Sequence, residues 1–357
     1  MSYTPTTKVR PGQVIARALD REGMSQKNLS ARTGLTEKHL SQIINGEASI
    51  TIETALLFEN ALGGSASFWI NLEKNYQEAK AREEQTATLA GEVALVQLFP
   101  YAELVKRKLV EQTRDATKKV ECLWKFFGVN SLRYVEATEA VAYRKRDNGS
   151  TKSAAIAAWL RCGEIKGRNI VVEAYSATKL KQSLPRLRAL TTKEPNEFSS
   201  AAMKLLSDAG VRLVYVPHFS GTGVSGAVRW VGENPLIQLS VLGKSSDRFW
   251  FSLFHEIGHV LLHSKKEKFI EFDKQDSSVE QEKEREADRF AGDVLVPLPQ
   301  YEQFLEQRDL SRDAVIRFAK AIDIDPGIVE GRLKHDGVIP WSTQLRLATK
   351  LAISEKE

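Results

Sequence analysis

The stretch FWFSLFHEIGHVLLH, from Phe249 to His263, constrains this chain more than any other. Phe251, Leu253, Phe254, Ile257, Gly258, Val260, Leu261 and Leu262 leave few polar positions besides two histidines and a glutamate, so the segment reads as a buried helix. Residues four apart share a helical face. His255 and His259 can therefore converge on one metal ion, while Glu256, one position on, points at the ion's open side. That is the geometry of a zinc hydrolase. The alternative is a pair of core histidines bonded to carbonyls, since polar groups on a buried helix need partners.

A catalytic zinc takes three protein ligands and a water, so a third donor must come from downstream. In EQEKEREADRFAGDVLVP, from Glu280 to Pro297, Ala287, Phe290, Ala291, Val294 and Leu295 recur at helical spacing. Glu284 shares a face with Ala287, Asp288 and Ala291 and is the expected third ligand, with Glu286 and Glu280 as fallbacks. Asp288, one turn later, is placed to hydrogen-bond the far nitrogen of a ligand histidine and fix its tautomer. His263 would close the site if it were a fourth ligand, so it is read as supporting or packing against the others.

HEIGHVLLH followed by EREADRFAGDVLVP resembles the ImmA/IrrE family of metallo-endopeptidases, whose pattern is H-E-x-G-H-x-x-x-H, then E-x-x-A-[ND]-x-F-A and an apolar run ending in Pro. Every position of that pattern is matched. The resemblance implies a gluzincin-like fold, a small sheet beside an active-site helix, in bacterial regulators often joined to a DNA-binding domain.

A chain of 357 residues exceeds what one core usually supports, so two or three domains are expected. No apolar run approaches a membrane span and the start, MSYTPTTKVRPGQ, carries no hydrophobic signal region, which predicts a cytoplasmic protein without a membrane partner. Cys122 and Cys162 make neither a disulfide framework nor a metal cluster. The net charge of +5 permits nucleic-acid binding without demanding it.

Between Gly12 and Asn45 the sequence reads as three short helices. Val14, Ile15, Ala18 and Leu19 stripe the first; Ser25 caps a second that ends at Gly34; Thr36 caps a third in which Leu40, Ile43 and Ile44 face inward. Two helices joined at Gly34 match a helix-turn-helix, whose third helix would enter the major groove of double-stranded DNA. Glu37, Lys38, Ser41 and Gln42 are its outward residues, able to meet base edges. Gln26 sits where it could contact a phosphate with the amides of the second helix. Residues 1–45 hold seven Lys or Arg against three acids, a basic face suited to DNA.

The following stretch, with Ile44, Asn45, Gly46, Ile50, Thr51, Ala61, Leu62, Gly63, Trp69, Asn71 and Leu72, is similar to HigA-type antitoxins of the lambda-repressor-like (XRE/Cro) class. The resemblance covers about residues 10–80 and implies a homodimer on a palindromic operator. Glu47 stands where a basic residue is common, at the place of one phosphate contact.

Residues 76–90 look like a charged helical connector. Val93 to Phe127 reads as two helices, Tyr143 to Lys152 as a solvated basic loop, and Ala154 to Cys162 and Ser176 to Leu190 as further helices. No chemistry marks 90–195. Strands are expected in VRLVYVP, around Val228 to Val231 and from Leu236 to Val241. In zincins an edge strand here holds the substrate backbone by strand addition, so Leu236, Ile237, Gln238, Leu239 and Ser240 are the candidate substrate strand. His218 is a candidate transition-state donor. Helices follow from Tyr301, from Ser311 and from Pro326, and the tail from Ser342 is expected to fray.

These readings predict a mainly α chain with a smaller α+β domain: a lambda-repressor-like helix-turn-helix bundle over 1–85, a helical middle region over 86–195, and a gluzincin-like zinc peptidase domain over 196–357. The expected function is a DNA-binding transcriptional regulator with a fused zinc-dependent endopeptidase that cleaves a protein partner such as a repressor. The alternative is a non-enzymatic, antitoxin-like autorepressor whose metal domain senses a ligand or binds a toxin.

Overall fold

The computed structural model describes residues 9–135, 151–240, 245–263, 269–272 and 281–350. The basic run 143–150, Val241 and the fallback ligand Glu280 lie outside them. The chain divides into two compact units, Met1–Val93 and Ala94–Glu357. Among the described residues no helix is long and apolar enough to cross a membrane.

The first unit holds α1 (Pro11–Arg21), α2 (Gln26–Thr33), α3 (Glu37–Asn45), α4 (Ile52–Leu62) and α5 (Ala66–Gly91). The Ser25 and Thr36 side chains accept from the backbone N–H groups of Asn28 and His39 and so start α2 and α3, and α2 ends at Gly34 with φ 73°. Such caps satisfy donors that a helix start leaves orphaned. Ile15, Leu19, Leu29, Leu40, Ile43, Phe58 and Trp69 form one buried cluster, which fixes the angle between α2 and α3.

The second unit opens with α6 (Tyr101–Lys106) and α7 (Ala116–Phe127). Of the two helices expected between Val93 and Phe127, the first is instead a 3-10 turn, Val93–Leu98, and a separate α6. Pro100 between them has no N–H to continue the ladder. Then come α8 (Thr151–Arg168), α9 (Ala177–Ala189), α10 (Pro195–Asp208), β1 (Arg212–Tyr215), β2 (Val224–Val231), β3 (Asn234–Leu239), α11 (Ser246–Leu262), β4 (Phe269–Phe272) and α12 (Gln281–Leu295). The last three helices are α13 (Leu298–Glu306), α14 (Arg312–Ala321) and α15 (Pro326–His335).

The four strands are ordered β1-β3-β2-β4, with β1 parallel to β3 and the other pairings antiparallel. Side chains alternate between faces. Leu213, Val228 and Ile237, aligned across three strands, share one buried cluster with Phe249, Leu253 and Ile257 of α11. The opposite face meets α8: Gln238 Nε2 donates to the Trp159 carbonyl at 2.7 Å, and Arg229 Nη2 to that of Leu160 at 2.6 Å. Trp159 Nε1 in turn donates to the Val216 carbonyl at 2.8 Å. The expected middle region thus supplies the layer that covers the sheet, and residues 94–195 belong to the same compact unit as the strands.

The substrate-strand expectation for Leu236, Ile237, Gln238, Leu239 and Ser240 is overturned by the strand order. β3 is central, paired with β1 on one side and β2 on the other. Leu236, Ile237, Gln238 and Leu239 have strand partners on both sides, and all five residues are at most 2% exposed.

The tail is also better anchored than expected. Buried Glu330 accepts from the backbone N–H groups of Leu345 at 3.3 Å and Leu347 at 2.9 Å. Ser246 N donates to the Thr349 carbonyl at 2.8 Å. Residues 345–350 therefore form a strap that ties α15 to the first turn of α11.

Candidate metal centre

α11 is apolar enough to be buried over most of its length. Phe249, Trp250, Leu253, Phe254 and Ile257 are at most 1% exposed, and His255, Glu256 and His259 are buried among them at 2%, 0% and 3%. Imidazole and carboxylate groups in such surroundings must be satisfied. The partners come from α12, which packs closely along α11. Gly258 permits that approach, because a side chain there would meet Ala287 Cα at 3.2 Å and the Phe290 ring at 3.1 Å.

The two Nε2 atoms of His255 and His259 lie 2.9 Å apart. Glu284 brings its carboxylate to them, Oε2 at 3.3 Å from His255 Nε2 and Oε1 at 3.6 Å from His259 Nε2. Among the described residues, these three form the group of His, Cys, Asp or Glu side chains close enough to share an ion. The other nitrogen of each ring is engaged elsewhere. His255 Nδ1 is 2.8 Å from Asp288 Oδ1, and His259 Nδ1 is 2.9 Å from His263 Nδ1. With both Nδ1 atoms occupied, both Nε2 atoms face the same point as the Glu284 carboxylate. Two imidazole nitrogens and one carboxylate oxygen suit a divalent transition ion.

The charge states agree with a ligand role. Burial lowers the His259 pKa to about 4, with His255 and His263 adding to the effect and Glu284 opposing it. For Glu284, burial raises the value, yet hydrogen bonding to His255 and His259 outweighs it and holds the carboxyl at about 2. At neutral pH His259 is neutral and Glu284 is anionic, the forms that bind a metal.

Glu256 is turned to the sheet. Its carboxylate rests on Gly226 of β2, where any β-carbon would overlap it. Of the fallback ligands, Glu286 is used differently: its Oε2 is 3.0 Å from His263 Nε2. His218 is held by Ser240, whose hydroxyl lies 3.0 Å from its Nδ1. Arg107, the residue that ends α6, donates to the carbonyls of Pro217 and His218 at 2.8 and 3.0 Å and lies 4.0 Å over the Phe219 ring. The sequence reading missed this clamp. A Glu103/Arg107 pair at i,i+4 is visible in the sequence, but its target 110 residues away is not.

Residues 206–334 match the IrrE N-terminal-like domain (Peptidase M78), and residues 15–69 match a helix-turn-helix family. The chain joins a helix-turn-helix DNA-binding domain to an IrrE N-terminal-like domain. The IrrE N-terminal-like domain spans Gly226, α11 and α12, and so contains Glu256 and the whole His255, His259, Glu284 group.

The chain is similar to an uncharacterized HTH-type transcriptional regulator of Escherichia coli (strain K12), YddM, at 27% identity over 74 residues, 21% of this chain and 79% of that protein. An antidote protein of a plasmid maintenance system from Nostoc punctiforme is 29% identical, over 22% of this chain and 87% of its own, with a TM-score of 0.21. An addiction module antidote protein of the HigA family from Coxiella burnetii is 27% identical, over 24% and 96%, with a TM-score of 0.23.

In the helix-turn-helix, Gln26, Glu37 and Lys38 are exposed, and Ser41 and Gln42 are half-buried. Ser41 Oγ accepts from Asn45 Nδ2 at 3.3 Å. Asn45 is itself exposed and carries an amide able to read bases, so it joins the outward row of α3.

Proposed function

We propose that the protein is an operator-binding regulator whose second unit is a zinc-dependent endopeptidase acting on a protein partner such as a repressor. The observation that carries this reading is the convergence of His255 Nε2, His259 Nε2 and the Glu284 carboxylate at one point, with both Nδ1 atoms engaged elsewhere. Zinc bound there would polarise a scissile carbonyl and bring the pKa of a water toward neutrality. His255 and His259 hold the neutral, Nε2-ligating tautomer through Asp288 and His263. Glu284 supplies the negative charge. Glu256, backed against Gly226, takes a proton from the attacking water and delivers it to the leaving amine nitrogen. A peptide would lie along a free sheet edge. Because β3 is internal, that role passes to β4, which ends the strand order among the described residues and pairs with β2 on its inner side.

On the DNA side, α3 enters the major groove with Glu37, Lys38, Ser41 and Gln42 toward the bases, Gln26 of α2 meets the backbone, and two copies span a palindrome.

The test compares wild type with Glu256→Gln in cells, by proteomic identification of new protein termini. The variant keeps its metal and its operator binding, while cleavage falls by about 100- to 10,000-fold, the usual contribution of a general base. Cleavage that survives in Glu256→Gln refutes the base assignment. Metal-responsive operator binding with no cleaved protein in either strain supports the non-enzymatic alternative instead.

A further inference from the structure

The two ligand histidines are supported unequally. Asp288 meets His255 Nδ1 directly, whereas His259 Nδ1 meets a second imidazole, His263, which is followed by Glu286. His263 is the residue at which the backbone leaves α11, and its N–H still donates to the His259 carbonyl at 3.2 Å. Its side chain is 3% exposed, while that of Glu286 is 47% exposed.

We propose that His263 and Glu286 are positioning residues for the metal centre, a two-step relay that fixes the tautomer and ring orientation of His259. The inference rests on the reading that His255, His259 and Glu284 hold zinc. Its logic is one of donors and acceptors. A carboxylate can only accept, so Glu286 requires the His263 proton on Nε2, where the 3.0 Å contact lies. The relay takes His263 in its neutral form, whose other nitrogen, Nδ1, then presents a lone pair. The 2.9 Å contact between the two Nδ1 atoms needs one hydrogen, and only His259 can supply it. Its proton is thereby held on Nδ1, and Nε2 is left with the lone pair that faces His255 and Glu284. The direction of both bonds is set at the surface end of the chain, by an acid that touches neither the ion nor its ligands.

Removing Glu286 takes away the acceptor 3.0 Å from His263 Nε2, and with it this reason for the proton to sit on that nitrogen. With the proton on Nδ1, His263 would face the His259 N–H donor to donor, and His259 would lose the partner that selects its ligating form. Groups supporting a ligand histidine in this way typically contribute about 10- to 100-fold to metal affinity.

The experiment uses the full chain with zinc alone as the probe. Zinc dissociation constants are measured by chelator competition for wild type, Glu286→Ala, His263→Phe and, as a control on the same helix, the exposed Glu282→Gln. Thermal unfolding without metal and the cobalt(II) absorption spectrum accompany each. Glu286→Ala should bind zinc about 10- to 100-fold more weakly, with an altered cobalt spectrum and an unchanged metal-free unfolding temperature. His263→Phe should weaken binding at least as much, and Glu282→Gln should match wild type. Two results overturn the relay: zinc binding in Glu286→Ala within about twofold of wild type, or weakening confined to His263→Phe together with a lower metal-free unfolding temperature, which makes His263 a packing residue. Failure of wild type itself to bind zinc would instead remove the metal reading on which the relay rests.

Discussion

Gly226 lets the Glu256 carboxylate lie flat on β2, and any side chain at that position would occupy the same space. Gly226→Ala tests this contact directly. Overpacking of this kind costs about 1 to 3 kcal/mol, so the variant should fold with reduced stability in thermal unfolding. It should retain zinc and lose cleavage, because the displaced group is the proposed base and not one of the proposed ligands. Full activity in a folded Gly226→Ala protein would show that Glu256 does not depend on that seat. The cluster of His255, His259 and Glu284 was largely legible in the sequence, because helical spacing puts the two histidines on one face and places Glu284 one turn before Asp288. The relay beyond them was not. His263 was visible as a supporting group, but its partner Glu286, itself a candidate ligand, is chosen by how α12 docks on α11. Docking depends on packing between segments that periodicity treats separately.

At the scale of elements, the strands were legible and their order was not. Leu236 to Leu239 has the same β-forming character at the centre of a sheet as at its edge. Nothing local announces that β1 pairs in parallel with β3 and so covers the side expected to be open. The polar side chain of Gln238 was a clue, since it hydrogen-bonds the Trp159 carbonyl inside the structure. The tail was misjudged because its anchor, Glu330, lies within another helix. There burial raises the carboxyl pKa, but Lys334 and the Leu347 and Leu345 amides outweigh that and hold it below its ordinary 4.5. A depressed carboxylate stabilises the fold fully above its unfolded-state value and stops doing so as pH falls through the folded-state value. The strap should therefore loosen on the acid side of 4.5. Glu330→Gln should lower stability by about 2 kcal/mol at neutral pH, the scale of hydrogen bonds to a buried charge, and should flatten that acid limb. Wild-type stability across the acid range in the variant would show that the strap is held by other contacts.

On the scale of the whole molecule, two compact units carry two kinds of chemistry. The helix-turn-helix has its own buried cluster around Ile15, Leu40, Phe58 and Trp69. In the second unit a large buried cluster surrounds α11. Residues 94–205 fall outside both family matches and showed no chemical motif because much of their role is mechanical: α8 covers the sheet and Arg107 clamps the loop at His218. The account as a whole depends on His255, His259 and Glu284 gripping a single divalent ion. Elemental analysis of the purified full chain, wild type against Glu284→Gln, is the most direct test. One zinc per chain in wild type, with most of it lost in a variant that unfolds at the same temperature when both are metal-free, is the predicted result. A wild-type protein that takes up no zinc, or a Glu284→Gln protein that holds it as tightly, would contradict the account.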